Sequence, residues 1–317
     1  MMNAPKFKPG YLALLAILPL LLLAPAVIYP VLLMKILCFA VFASAFNLLL
    51  GYTGLLSFGH AAFLGSAAYL TGHALKVWEL PTLVGLLLGT AGAAALGWAV
   101  GTLAIRRQGI YFAMSTLALA QLMFFLFLKS EFTGGEDGLQ SVPRGALLGL
   151  DLSSDTHLYY LVLGLSAGAF WLIHRTIHSP FGQVLKAIRE NEPRALSLGY
   201  DVDRYKLLAF VLSAAISGLA GALKTLVFTF ATLSDAHWHT SGEVVLMTLL
   251  GGVGTVLGPV VGAAVIVTLQ NELADKVGSL VTVIMGFIFA ACVLAFRRGM
   301  VGEAIGLYKR MIGEKTP

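Results

Sequence analysis

The chain has 317 residues, 58% of them hydrophobic and 12% charged, with a formal net charge of +5. Its mean hydropathy is +0.86. So few charges cannot cover a soluble domain of this length, so composition excludes a soluble globular protein and indicates a polytopic membrane protein. The basic excess does not indicate nucleic-acid binding, because lysines and arginines fall at span ends and in a few loops, as positive-inside topology demands.

Apolar runs predict spans near residues 11–29, 31–50, 54–75, 82–105, 110–128, 158–174, 206–230 and 278–296. The first, behind Lys6 and Lys8, resembles a signal peptide, but Pro25 disfavours cleavage and another span follows at once, so it is read as a transmembrane helix. Placing Lys6, Lys8, Arg106, Arg107, the 174–206 segment and Arg297, Arg298, Lys309 and Arg310 in the cytoplasm leaves the acidic 129–157 loop outside. The apolar stretch from Val244 to Leu269 must then cross an even number of times. It is read as two short half-spans split at Gly251-Gly252-Val253-Gly254 and Gly258-Pro259. The fold class is an all-α, polytopic transmembrane bundle of about ten helices, or eight plus a re-entrant hairpin.

A second break, GYTGLLSFGH at 51–60, has the same spacing between its first two glycines, Gly51 and Gly54, as separates Gly251 from Gly254. The pair suggests two related halves. Irregular backbone at membrane depth survives only inside protein or along a wet cavity, so both breaks are candidates for a solute path. The polar residues within spans extend the set to Asn47, Gly51, Gly54, Ser57, His60, Thr116, Gln121, Gly251, Gly254 and Gly258, with Ser115, Ser213 and Ser217 as further polar positions. Helix packing alone explains many of the 35 glycines, including the pairs Gly85/Gly89, Gly97/Gly101 and Gly164/Gly168. Lys129, Lys224 and Glu243 lie near enough to span ends to snorkel. No carboxylate occupies mid-span, which argues against ion-coupled secondary transport.

Catalysis has no support: there is no phosphate-binding loop, and the histidines lack triad or metal-ligand spacing. Cys38 and Cys292 lie in apolar runs and read as small hydrophobes, with no disulfide framework or metal site.

From 174 to 206 the chain turns basic and amphipathic. Ser179 and Pro180 start a helix, Phe181, Val184, Leu185 and Ile188 recur at helical spacing, Pro193 restarts it and Gly199 ends it. This pattern fits either a helix lying in the headgroups or a docking element for a protein partner.

Several stretches together resemble one family: GYTGLLSFGHAAFLGSAAYL at 51–70, YFAMSTLALAQ at 111–121, TGGEDGL at 133–139, SPFGQVLKAIRENEPRALSLGYDV at 179–202 and LLGGVGTVLGPVVGA at 249–263. They resemble the LivM-type permease subunits of branched-chain amino acid ABC importers. The resemblance implies a single permease domain over 1–317 with inverted repeats, and a cytoplasmic C-terminal tail at 297–317. It implies a LivH-like second permease, two cytoplasmic ATP-binding subunits carrying the ATP, a periplasmic solute-binding protein, and a place for this chain in the bacterial inner membrane. It makes 179–199 the coupling helix, with Ser179, Ala187, Arg189, Glu190, Asn191, Ala195 and Gly199 at its recurrent positions. On that view Ala187 and Gly199 allow close approach, Arg189 and Glu190 contact the ATPase, and the external loop around Thr133–Gly138 and Arg144 meets the binding protein. The solute is left open among branched-chain amino acids, urea, short amides and aromatic acids.

Overall fold

The computed structural model describes residues 21–280, except 27, 148 and 149, together with scattered positions between 283 and 303. Most of the span expected at 11–29, nearly half of the span at 278–296, the tail beyond 303 and Cys292 lie outside the described residues. The described chain is helical: α1 (Pro30–Thr53), α2 (His60–Lys76), α3 (Thr82–Ala104), α4 (Ile110–Lys129), α5 (Asp155–His178), α6 (Pro180–Glu190), α7 (Glu192–Ser197), α8 (Val202–Phe228), α9 (Trp238–Gly251) and α10 (Gly258–Val277). A two-residue antiparallel pair, Ala146–Leu147 with Leu150–Asp151, pins the loop before α5. Five of the helices, α1, α3, α4, α5 and α8, are long and apolar enough to cross a membrane.

The centre of the bundle is α1 against α8. They run antiparallel: Ser213 donates to the Ala45 carbonyl at 2.6 Å, and Lys35 and Lys224, further along each helix, line one cavity. Both helices are buried over most of their length because every neighbour packs on them. Phe42, Phe46, Leu48, Met247 and Ile266 join α1, α9 and α10 in one cluster. Tyr69, Leu158, Tyr159, Leu223 and Leu226 join α2, α5 and α8 in a second.

α3 approaches α2 and α8 through small residues, as the sequence spacing predicts. A Cβ on Gly97 would collide with that of Ala214, and one on Gly101 would come within 3.0 Å of Phe210. Close approach maximises dispersion contact where lipid removes any hydrophobic drive between helices. The Gly164/Gly168 pair behaves differently, since neither meets anything within 4 Å. Around the bundle, Trp98, Leu103, Leu122, Phe125 and Trp171 are exposed, as lipid-facing side chains should be.

Two boundaries depart from the sequence expectation. The third span begins at His60 rather than near 54, because Gly54 takes a left-handed conformation (φ 75°) that ends α1 and leaves 55–59 non-helical. The pair read as two half-spans comprises a short α9 of 14 residues and a 20-residue α10, the latter about 30 Å long at 1.5 Å per residue and so longer than a half-span.

Candidate functional site

The two glycine-rich breaks meet. Asn47, six residues before the end of α1, donates from Nδ2 to the Thr255 carbonyl and accepts at Oδ1 from the Gly254 amide, both at 2.8 Å. Tyr52 donates its hydroxyl to the Gly254 carbonyl at 2.9 Å. Residues 253–256 lie between the two helices, and these side chains take up the Gly254 amide and carbonyl and the Thr255 carbonyl there. The contact requires bare backbone at Gly51, where a Cβ would lie 2.7 Å from the Gly254 nitrogen, and the α9–α10 turn requires it at Gly251, where one would overlap the Gly258 carbonyl. Similar spacing in the sequence thus marks two breaks that touch at one end of the bundle. The connection after α8 runs over 229–237, where Thr229 caps α8 with φ 62° before α9 begins at the other end.

Against this junction lies the basic hairpin formed by α6 and α7. The Arg189 guanidinium donates to the Gly51 carbonyl, one of the last-turn carbonyls of α1 that lack helical donors, and Lys186 stands over the Tyr52 ring at 5.7 Å. Between hairpin and break lies a cleft of about 510 Å³ lined by Gly51, Tyr52, Lys186, Arg189, Glu190 and Gly254. Arg189, expected to face a partner, is exposed and also donates to the junction.

The hairpin is built as its sequence predicts. Ser179 caps α6 by accepting from the Gly182 amide at 3.3 Å, Asn191 caps α7 by accepting from Arg194 at 3.0 Å, and Gly199 (φ 87°) closes it. Leu185, Ile188 and Ala195 are buried, with Ile188 and Ala195 against Val202, and Phe181 stacks on Tyr205 at 5.6 Å. Ala195 therefore belongs to the buried side. Glu192 anchors the unit: it pairs with Lys206 of α8 at 2.6 Å and accepts from Gln108 of the α3–α4 loop at 2.9 Å. The face turned away from the bundle carries Ala187, Glu190, Asn191, Leu196, Leu198 and Gly199, all exposed.

The other candidate path residues lie deeper. His60 is fully buried, ringed by Phe46, Phe63 and Phe210 at 5.1 to 6.3 Å between centroids. Its Nε2 lies 2.8 Å from Ser213 Oγ. Because that hydroxyl proton is already given to Ala45, the imidazole must be the donor at Nε2. Thr116 accepts from the Phe58 amide at 3.2 Å and donates to Ala113 at 2.9 Å, while Ser57 accepts from Gly59 at 3.2 Å. Thr116 and His60 thus tie the 54–59 segment and the start of α2 to α4 and α8, and Ser57 closes a turn within the segment. Gln121 is half-buried on α4, apart from both groups.

At the far end, Thr133 is buried and donates to Phe127, and Arg144 is spent on Asp155 at 2.7 Å and the Val227 carbonyl at 2.9 Å. Glu131, Glu136, Asp137 and Asp151 are exposed acids of the 129–157 loop. Lys224 does not snorkel: it is ion-paired to buried Asp235. Sequence reasoning passed over Lys35, whose signal was a lone cation inside an apolar run.

The model of the family described as "Branched-chain amino acid transport system / permease component" matches residues 30–295. The chain belongs to this family. Among its relatives, the high-affinity branched-chain amino acid transport system permease protein LivM of Salmonella typhimurium (strain LT2) is 30% identical over 72% of this chain and 60% of its own length. LivM of Escherichia coli (strain K12) matches to the same extent. The ribose import permease protein RbsC of Bacillus subtilis (strain 168) is 31% identical over 49% of this chain and 50% of its own length. The match thus covers about 60% of the length of the LivM relatives. No solved structure matches. The permease is a multi-pass membrane component of a transport system rather than an enzyme.

Proposed function

We propose that this permease forms half of the translocation path of an ABC importer for branched-chain amino acids, paired with a LivH-like permease, two ATP-binding subunits and a solute-binding protein. The observation that carries the coupling part is the α6–α7 hairpin: its outer face is exposed, while its inner face is fixed to α8, the α3–α4 loop and the Gly51/Gly254 junction. An amphipathic helix lying in headgroups turns its apolar face to lipid. Here that face is buried in the chain, and the outer face combines small Ala187 and Gly199 with charged Glu190 and apolar Leu196 and Leu198. That surface suits a groove in a soluble ATPase.

On this reading the hairpin end, with Arg106, Arg107, Lys186 and Arg194, is cytoplasmic, and the Glu136/Asp137 loop meets the binding protein. ATP-driven closure of the ATPases moves the hairpin. Because Arg189 and Asn47 tie it to both breaks, the movement reaches the ends of α1 and α9 together. The branched-chain solute rests on likeness to the LivM relatives over most of the chain. The shorter match to a ribose permease favours a sugar as the second reading.

The test replaces Glu190 and Gly199 by tryptophan in the assembled importer. Uptake of labelled L-leucine should fall at least about tenfold, the effect of about 1.4 kcal/mol, with membrane insertion unchanged. Undiminished uptake would remove the docking assignment, and ribose uptake without leucine uptake would replace the solute.

A further inference from the structure

At the end of the bundle opposite the hairpin, a cavity of about 750 Å³ opens between α1, α8, α9 and α10. It lies in the size range of small-molecule sites. Lys35 is five residues into α1, roughly 7 Å below its start, and half-buried. It has no hydrogen bond or ion pair to another described residue, though Lys224 and Glu243 act on it electrostatically. The neighbouring Lys224 is neutralised by Asp235, so Lys35 is the uncommitted cation of the group. Glu243 accepts from Gln270 at 2.9 Å and retains a further carboxylate lone-pair capacity. Phe39 and Phe228 supply apolar wall to the same space.

A free ammonium, an acceptor carboxylate and aromatic wall in one partly dehydrated cavity match one ligand chemistry: a small zwitterion with an apolar side chain. We infer that this cavity is a solute-binding site of the permease, with Lys35 receiving the carboxylate of an α-amino acid, Glu243 its ammonium, and Phe39 and Phe228 its side chain. The Lys224–Asp235 pair sets the walls without competing for the ligand. A neutral sugar has no use for either charge. The inference rests on the branched-chain reading and deepens it, since it gives the membrane path a selective station beyond the binding protein.

The experiment uses the assembled importer in cells lacking other leucine uptake, with labelled L-leucine as probe. Lys35→Gln and Glu243→Gln, on different helices, should each lower uptake at least about tenfold, while Lys35→Arg keeps most of it and ATPase subunits co-purify unchanged. In nanodiscs, without binding protein, the wild-type assembly should give saturation transfer to L-leucine but not to 4-methylpentanoate or 3-methylbutylamine, which each lack one charge. Wild-type uptake with both glutamine variants within twofold, or no saturation transfer to L-leucine, would overturn the site and leave the branched-chain reading standing. A wild-type importer that moves no leucine would overturn that reading and the site with it.

Discussion

A Cβ at position 51 has nowhere to go, because the Gly254 backbone is already in contact. Gly51→Val should therefore force the two breaks apart, costing about 1–3 kcal/mol as overpacking does, and should abolish uptake. Gly164→Ala, where nothing lies within 4 Å, should leave both unchanged, and thermal unfolding of the detergent-solubilised chain compares the two. A similar magnitude, about 1–3 kcal/mol, is expected for Asn47→Ala, which leaves the Gly254 amide and Thr255 carbonyl without their partner. An Asn47→Asp variant that unfolded like wild type would show that the donor half of this bridge contributes nothing. The residues of this junction were legible one by one in the sequence, since Asn47 and the glycines stand out in apolar runs. Their contact was not, because it joins positions more than two hundred residues apart. Arg189 shows the same limit: its place on a basic amphipathic helix points outward, as its exposure bears out, while its bond to the carbonyl at the end of α1 shows only in the fold.

Among the elements, the α6–α7 hairpin was the most readable, because its caps, its proline and its apolar stripe are all local signals. What sequence could not give is how the hairpin is held. Glu192 looks like an ordinary first-turn acid, yet it ties α7 to Lys206, which is only 2% exposed, and to Gln108. Removing one partner of such a pair leaves the other charge uncompensated. Glu192→Ala should therefore loosen the hairpin from α8 while sparing its outer face: the ATPase subunits still co-purify and hydrolyse ATP, but leucine uptake per ATP falls. Equal coupling in the variant would mean that rigid anchorage is not how the movement is passed on. The α9–α10 pair was readable only in outline, since glycine spacing fixed the split and said nothing of where α10 ends.

At the scale of the whole molecule, α1 and α8 form an antiparallel axis, with a broken connection following each: 54–59 at the hairpin end and 229–237 at the other. Charge follows the same division, with Arg106, Arg107 and the hairpin at one end and Glu136 and Asp137 at the other. An impermeant maleimide should thus label Glu136→Cys in intact cells and Gly199→Cys only after permeabilisation; the reverse would invert the topology and the roles of both ends. The central claim is that the outer face of the hairpin is where an ATPase docks. A photo-crosslinking residue at position 190 of the assembled importer tests it: a cross-link to an ATP-binding subunit, with a yield that changes when nucleotide is added, is the expected result, and a correctly inserted chain that cross-links only to lipid would contradict it.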